Sequence, residues 1–277
     1  VVADGTYVLE ETFTLTPGDS GSEKCPIVYE AARGAKPVFT GGRVIKGLKE
    51  GGDGLWKVNI PEVAAGKWYF EQLFVNGRRA TRARTPNEFY HYMGGSSETP
   101  IEGQRGKFRR VTEVRGDDLE PLKKLSQAEL QDVCLVAYHK WCISKRYLTA
   151  VDTAENAIVT IGEQLKSYSG WPNNTRYHLE NVRTALDAAG EWFLGRDGTL
   201  LYKPRPGERI GSAEVVAAAV EKLVVFAGEP EEGEYVEHVQ LKGLAFEHNH
   251  YVLPKSGYAP FQAAYATYLA TIEASDQ

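Results

Sequence analysis

The sequence predicts an all-β chain in which a parallel β-solenoid is interrupted by an inserted antiparallel domain of sandwich type. Three observations carry that expectation. Short β-rich runs separated by glycine corners fill the opening of the chain, with no amphipathic helix between them. A hairpin-rich middle region then holds all five tryptophans, at positions 56, 68, 141, 171 and 192. The first texture returns from about Ala213. The expected segments are 1–53 for the opening of the solenoid, 54–210 for the insert and 211–277 for the solenoid resumed.

In the first segment, Thr6-Tyr7-Val8-Leu9, Thr12-Phe13-Thr14-Leu15, Pro26-Ile27-Val28-Tyr29 and Pro37-Val38-Phe39-Thr40 read as strands. Pro17-Gly18-Asp19-Ser20-Gly21 and Thr40-Gly41-Gly42 read as corners. The lack of helices between the strands disfavours βαβ units, and the lack of a strong hairpin dipeptide suits a coiled solenoid. Texture alone also admits a sandwich there.

Glu50-Gly51-Gly52-Asp53-Gly54 is a turn-rich break. Beyond it, Asn76-Gly77 between Leu73-Phe74-Val75 and Arg78-Arg79-Ala80 is a strong tight-hairpin signal. Gly195-Arg196-Asp197-Gly198 marks a second hairpin, between Glu191-Trp192-Phe193-Leu194 and Thr199-Leu200-Leu201-Tyr202. Val133–Tyr138, Arg146–Leu148 and Ala157–Ile161 read as further strands, and one short helix is expected near Leu119–Leu130, where Ser126 and Glu129 have capping-box spacing. Ala213–Phe226 is taken as strand, although its alanines also suit helix. The acidic stretch from Glu229 to Glu237 reads as a solvated turn. Leu244-Ala245-Phe246-Glu247-His248-Asn249 aligns with Ala270-Thr271-Ile272-Glu273-Ala274-Ser275 at an offset of 26 residues, a plausible solenoid turn.

Charge and cysteine content set limits on function. There are 32 basic and 37 acidic residues, a net charge of −5, whereas a general nucleic-acid binder carries a basic excess or stripe. No apolar run reaches the length of about 18 residues that a membrane helix needs. Val1-Val2-Ala3-Asp4-Gly5 is strand-and-turn material, so any signal peptide is expected upstream of it. Cys25, Cys134 and Cys142 show no zinc spacing and are expected to be small buried hydrophobes.

Gly5-Thr6-Tyr7, Leu15-Thr16-Pro17-Gly18-Asp19-Ser20-Gly21 and Pro37-Val38-Phe39-Thr40-Gly41-Gly42 are similar to the opening of right-handed parallel β-helix proteins of glycoside hydrolase family 141. Gln72–Ala80 with Arg82–Asn87 resembles the start of its inserted domain. Glu180–Asp187, Gly190–Leu194 and Gly198–Tyr202 resemble its end, and Gly243–His248 resembles the return to the helix. The resemblance spans nearly the whole chain. It implies a pectate-lyase-like solenoid with an inserted β domain, and an activity on xylan or α-linked fucose. It further implies that the catalytic carboxylates lie beyond Gln277, so no catalytic position is carried over and this polypeptide alone is expected to be inactive.

The residues offer their own candidates. Glycoside hydrolysis uses two carboxylates, about 5–5.5 Å apart for retention or about 6.5–9.5 Å for inversion, and stacked strands lie about 4.8 Å apart. Glu247 and Glu273, at equivalent places in the aligned runs, fit the shorter spacing; an outward ladder of solvated glutamates is the plainer alternative. His248 and His250 lie two apart, on one face of a regular strand, and are read as sugar contacts rather than metal ligands. Period two also sets His248 on the Phe246 face, where partial burial would follow. Tyr90, in the run Tyr90-His91-Tyr92-Met93 that reads as an exposed loop before Gly94-Gly95-Ser96-Ser97, and Trp171-Pro172 are candidates for stacking on a sugar face, whereas Trp56, Trp141 and Trp192 read as core. Arg78, Arg79, Arg82 and Arg84 read as a solvated hairpin arm that could meet acidic sugars.

These readings converge on the N-terminal portion of a carbohydrate-active β-helix protein, a glycosidase of complex polysaccharides. The alternatives are a polysaccharide lyase or epimerase on the same scaffold, or a non-catalytic sugar-binding surface protein. The expected partner is a polysaccharide or oligosaccharide, with no cofactor, metal, nucleic acid or membrane, and a monomeric state. By resemblance, the expected location is secreted, periplasmic or cell-surface.

Overall fold

The computed structural model describes residues 1–140, 142–163, 172–255 and 257–258. Those residues are almost entirely β. By internal contacts they form two compact units, one of residues 1–82 with 189–252 and one of residues 83–188 with those described from 253 onward.

In the first unit, β1 (Thr6–Val8), β2 (Phe13–Leu15) and β3 (Ile27–Glu30) are followed by β4 (Val38–Thr40), which pairs parallel with β1. The chain continues through β5 (Gly42–Val44), β6 (Lys49–Glu50), β7 (Trp56–Asn59), the single turn α1 (Pro61–Ala64), β8 (Leu73–Val75), β9 (Arg78–Arg79) and β10 (Thr81–Arg82). The second unit contributes β11 (Arg84–Thr85), β12 (His91–Tyr92), β13 (Ser96–Pro100), β14 (Lys107–Glu113), α2 (Gln127–Gln131), β15 (Cys134–Tyr138), β16 (Ile143–Asp152), β17 (Ala157–Glu163) and β18 (Arg176–Glu180). The first unit resumes with β19 (Glu191–Leu194), β20 (Thr199–Tyr202), β21 (Val215–Ala218), β22 (Val224–Phe226), β23 (Val239–Lys242) and β24 (Ala245–Glu247).

The parallel pairings follow a coil. β4 lies between β1 and β24, β22 pairs with β2, and β23 pairs with β3, each in parallel register. The succession β1–β2–β3–β4 therefore makes one rung, and β4–β22–β23–β24 stacks on it after a long excursion. Register puts Tyr7, Phe39 and Phe246 in one column, and their rings stack at 5.1 and 5.4 Å. Offset stacking of this kind adds to plain area burial. Few rung residues are fully buried, Leu15 and Thr40 among them.

The core of this unit lies instead in its antiparallel strands. Sheets β10-β19-β20-β7-β6 and β5-β21-β8-β9 enclose Trp56, Phe70, Leu73, Trp192, Leu194, Leu200 and Tyr202. Trp192 and Phe70 are wholly buried and stack at 5.5 Å. Asn76 and Gly77 have φ of 51° and 71°, the paired left-handed values of a type I′ turn, between β8 and β9. The second expected hairpin joins β19 and β20. Ala213–Phe226 holds strands rather than helix, over part of its length only: antiparallel β21 and parallel β22, with non-strand residues between them.

The second unit is one antiparallel sheet in the order β11-β18-β15-β16-β17-β14-β13, with β12 also on β18. One face buries Leu135, Ala137, Leu148, Ile158, Tyr177 and Leu179. The expected helix is shorter than Leu119–Leu130: Gly116–Leu119 is a 3-10 turn, and α2 starts after Ser126. Pro121 has no N–H to continue the first turn, and the Ser126–Glu129 capping box sets the new start.

Three local expectations are corrected. Tyr90–Met93 is no exposed loop, because β12 pairs with β18 and Met93 enters the core. Cys25 is exposed, in a Ser22–Cys25 turn ahead of β3; Cys134 is buried and Cys142 half-buried. Arg82 is buried beside Glu71 rather than solvated, although Arg78 and Arg79 are exposed. The 270–275 repeat run, Trp141, Trp171 and Glu273 lie outside the described residues.

Candidate functional site

Strand pleating sets one face of β18 and β15 with Glu180, His178, Arg176, Val136 and Tyr138 pointing together, and β16 adds Lys145 opposite Val136. A linked polar chain runs across this face. The Tyr138 hydroxyl lies 3.1 Å from His178 Nδ1, His178 Nε2 lies 3.0 Å from Glu180 Oε1, and Lys145 Nζ lies 3.4 Å from Glu180 Oε2. A carboxylate only accepts, so Nε2 carries a proton, and on the neutral ring Nδ1 accepts from the Tyr138 O–H. The Tyr138 oxygen keeps lone pairs for a further donor. Burial pushes the Tyr138 phenol up, reinforced by Tyr90 and Glu180 against the opposing pull of Arg84 and Lys145, so it stays protonated.

Tyr90, the expected sugar-stacking residue, joins this cluster. Its half-buried ring meets Tyr138 edge-on at 4.8 Å, and the Arg176 guanidinium lies 5.2 Å from its centroid. A cation over the ring leaves a mixed aromatic and polar surface. Arg176 and Tyr92, opposite each other in register, are both exposed at its edge. An aromatic plane edged by hydroxyl, guanidinium and carboxylate groups can hold a polyol by stacking and hydrogen bonds.

On the other face of the same sheet, Thr85 Oγ1 lies 3.3 Å from His91 Nε2, and His91 Nδ1 lies 2.9 Å from Asp118 Oδ1. The Tyr177 hydroxyl donates to Asp118 Oδ2 at 2.8 Å. Burial pushes the Asp118 carboxyl up, but the hydrogen bonds from His91 and Tyr177 and the His91 charge outweigh it, leaving it below the usual value. Burial and Asp118 together raise the Tyr177 phenol. With Asp118 and Tyr177 both buried, this chain ties β12 and β18 to the 3-10 turn at Gly116–Leu119.

The remaining expected residues belong to the first unit. Glu247 is exposed on β24, beside Thr40 in register. The strand ends there because His248 has φ of 60°, so period two no longer governs the histidines, and they do not share a face as expected. His248 is half-buried, with its ring edge-on to Phe74 at 4.5 Å and Nδ1 2.8 Å from Thr40 Oγ1. The Thr40 hydroxyl also accepts from the Gly42 N–H at 3.1 Å, which ties His248 to the start of β5. Gly42 is required here: a Cβ would lie 2.3 Å from Val216 and 3.0 Å from His248. His250 is buried, its N–H donating to the Val220 carbonyl, and its Nε2 has no hydrogen-bond partner. Burial lowers its pKa against the upward pull of Glu221 and Glu71. Among the described residues, no group of three or more His, Cys, Asp or Glu side chains is placed to hold a metal ion. No helix among them is long and apolar enough to cross a membrane.

Sequence reading missed Tyr138, His178 and Glu180. His178 and Glu180 are two apart in a β-rich run and so were legible as sharing a face, but Tyr138 is brought to them only by the β15–β18 pairing.

The chain is similar to a solved structure described as a glycoside hydrolase, with a TM-score of 0.79 and 26% sequence identity over 94% of this chain. It spans 45% of that structure's length. No protein-family model and no curated protein matches the sequence.

Proposed function

We propose that this chain is the N-terminal portion of a carbohydrate-active protein of glycoside hydrolase type, and that it binds an oligosaccharide through its own surface. The observation that carries the reading is the similarity to a glycoside hydrolase along 94% of this chain. The parallel coil of β1–β4 and β22–β24 supports the finer reading, a β-helix with residues 54–210 inserted, related to family 141 and directed at xylan- or fucose-containing glycans. Tyr90, backed by Tyr138 and Arg176, is the stacking surface in this proposal, and His248, which meets Thr40 through Nδ1 and not Nε2, is a hydroxyl contact.

Hydrolysis needs two carboxylates at fixed separation, and the chain spans under half of its structural neighbour. The catalytic pair is therefore proposed to lie outside these 277 residues. The test is calorimetric titration of the purified chain with xylan and fucosylated oligosaccharides, alongside turnover of xylan oligosaccharides and aryl fucosides. Saturable binding without turnover is expected. Absence of binding to every glycan defeats the carbohydrate reading. Turnover that Glu247→Gln or Glu273→Gln abolishes would place the catalytic pair within the chain instead.

A further inference from the structure

We infer that Phe89 is a preorganised stacking residue for a pyranose ring, an inference that rests on the carbohydrate reading above and deepens it. Eight non-glycine residues among those described have positive φ: Asp53, Asn76, Phe89, Asn156, Asn174, Asn181, His238 and His248. Seven are Asn, Asp or His, the residue types that tolerate the left-handed region. Phe89, at φ 59°, is the exception. An aromatic L-residue there brings its Cβ against its own backbone, which is strained.

Packing does not offset that strain. Phe89 is 82% exposed, the most exposed aromatic ring among the described residues. A single exposed apolar side chain is ordinary, but an exposed ring held in a strained backbone is not. Strain of this kind persists only where the surroundings impose it, and it concentrates at binding sites.

The flanking residues supply the restraint. Two residues before Phe89, the Asn87 side chain donates to the Asp187 carboxylate at 2.5 Å. On its other side, Tyr90 is fixed against Tyr138 and under Arg176. Next, His91 enters β12, opposite Tyr177, with its ring on Asp118. The chain is thus pinned on both sides of Phe89, so its backbone conformation is fixed before any ligand arrives, which lowers the ordering cost of binding.

The chemistry of the neighbourhood selects the ligand. A pyranose presents a C–H face for the Phe89 ring and a rim of hydroxyls. Arg176 and Tyr92, exposed at the edge of the adjoining sheet, offer donors and an acceptor for that rim. An aliphatic peptide side chain or a second copy of the protein would use the ring without needing the polar edge.

The test compares the parent chain with Phe89→Asn and Phe89→Tyr. Asparagine fits the left-handed backbone but has no ring, whereas tyrosine keeps the ring. Affinity for xylan and fucosylated oligosaccharides is read by calorimetry, stability by Tm, and self-association by sedimentation. The inference expects Phe89→Asn to bind at least tenfold more weakly with an unchanged or higher Tm, and Phe89→Tyr to bind within about threefold of the parent. Parent binding that Phe89→Asn leaves within twofold overturns this inference while the carbohydrate reading stands. A lowered Tm in Phe89→Asn overturns it too, by showing that the ring serves the fold. So does loss of a dimer with glycan affinity intact, which assigns the ring to a protein interface. A parent that binds none of these glycans defeats the carbohydrate reading and this inference together.

Discussion

The parallel rungs of the first unit and the antiparallel sheet of the second are held by different means. Rung strands are three or four residues long, and β1 is exposed along its whole length. Their cohesion comes from ladder hydrogen bonds and one aromatic column, while the unit's buried mass sits in the antiparallel strands around Trp192. A solenoid gains stability by adding rungs, and two rungs gain little by themselves. The second unit spends its interior differently: its sheet carries a linked polar chain on each face, one ending at Asp118 and one at Glu180. The lesson is that coil regularity and packing strength are separable, and that chemistry accumulates where polar residues have been paired rather than excluded.

The comparison can be pressed hardest at Trp192. Trp192→Ala leaves a cavity against Phe70 in a fully buried site, and a loss of about 3–5 kcal/mol is expected by urea denaturation. A loss below 1.5 kcal/mol would show that the first unit does not rest on its antiparallel core.

In the second unit the matching test is polar. Asp118→Ala strands the buried Tyr177 hydroxyl and removes the partner of His91 Nδ1, costing about 1–3 kcal/mol. Because the folded Asp118 carboxyl lies below its unfolded value of about 4, its stabilisation is complete above that pH and fades as the pH falls through the folded value. Asp118→Asn should remove that part of the acid loss, read as Tm against pH between about 5 and 2. An acid limb identical to the parent's would mean that the carboxylate chain contributes no net stability.

The β8–β9 turn offers a smaller contrast. Gly77→Val forces a β-branched residue to φ near 71° and should cost about 1–2 kcal/mol, against under about 0.5 kcal/mol for the exposed Arg78→Ala. Equal melting shifts would count against backbone strain as the controlling term.

The smallest effect is expected at His250. Its folded pKa is depressed by burial, so the unfolded chain takes up a proton first as the pH drops below about 6.5. Stability should therefore be full above that value and decline toward the folded pKa, and His250→Gln should flatten this limb. A Tm that rises on acidification through that window in the parent, but not in the variant, would reverse the sign.

The Asn76-Gly77 and Gly195–Gly198 hairpins were legible because turn residues encode positive φ locally, and the first four rung strands were legible because glycine corners bound them. Tyr90 was legible as an aromatic of interest, but its setting was misread. Its run resembles a loop until β18 arrives from about 85 residues later and pairs with it. Arg82 failed in the same way: a charge in a basic run reads as solvated unless the carboxylate that accompanies it inward, here Glu71, is known.

The sequence by itself determined the all-β character of the chain, its tight turns and the return of the opening strand texture after a long excursion, because periodicity, glycine and β-branched residues act within a few positions of themselves. Tertiary structure alone decided that His248 leaves its strand to meet Thr40 and Phe74, that Tyr138 and His178 share a proton chain, and that Phe89 stands strained in water. Each of these depends on strand pairing or anchoring between residues far apart in sequence, and no local propensity records a partner that long-range register supplies.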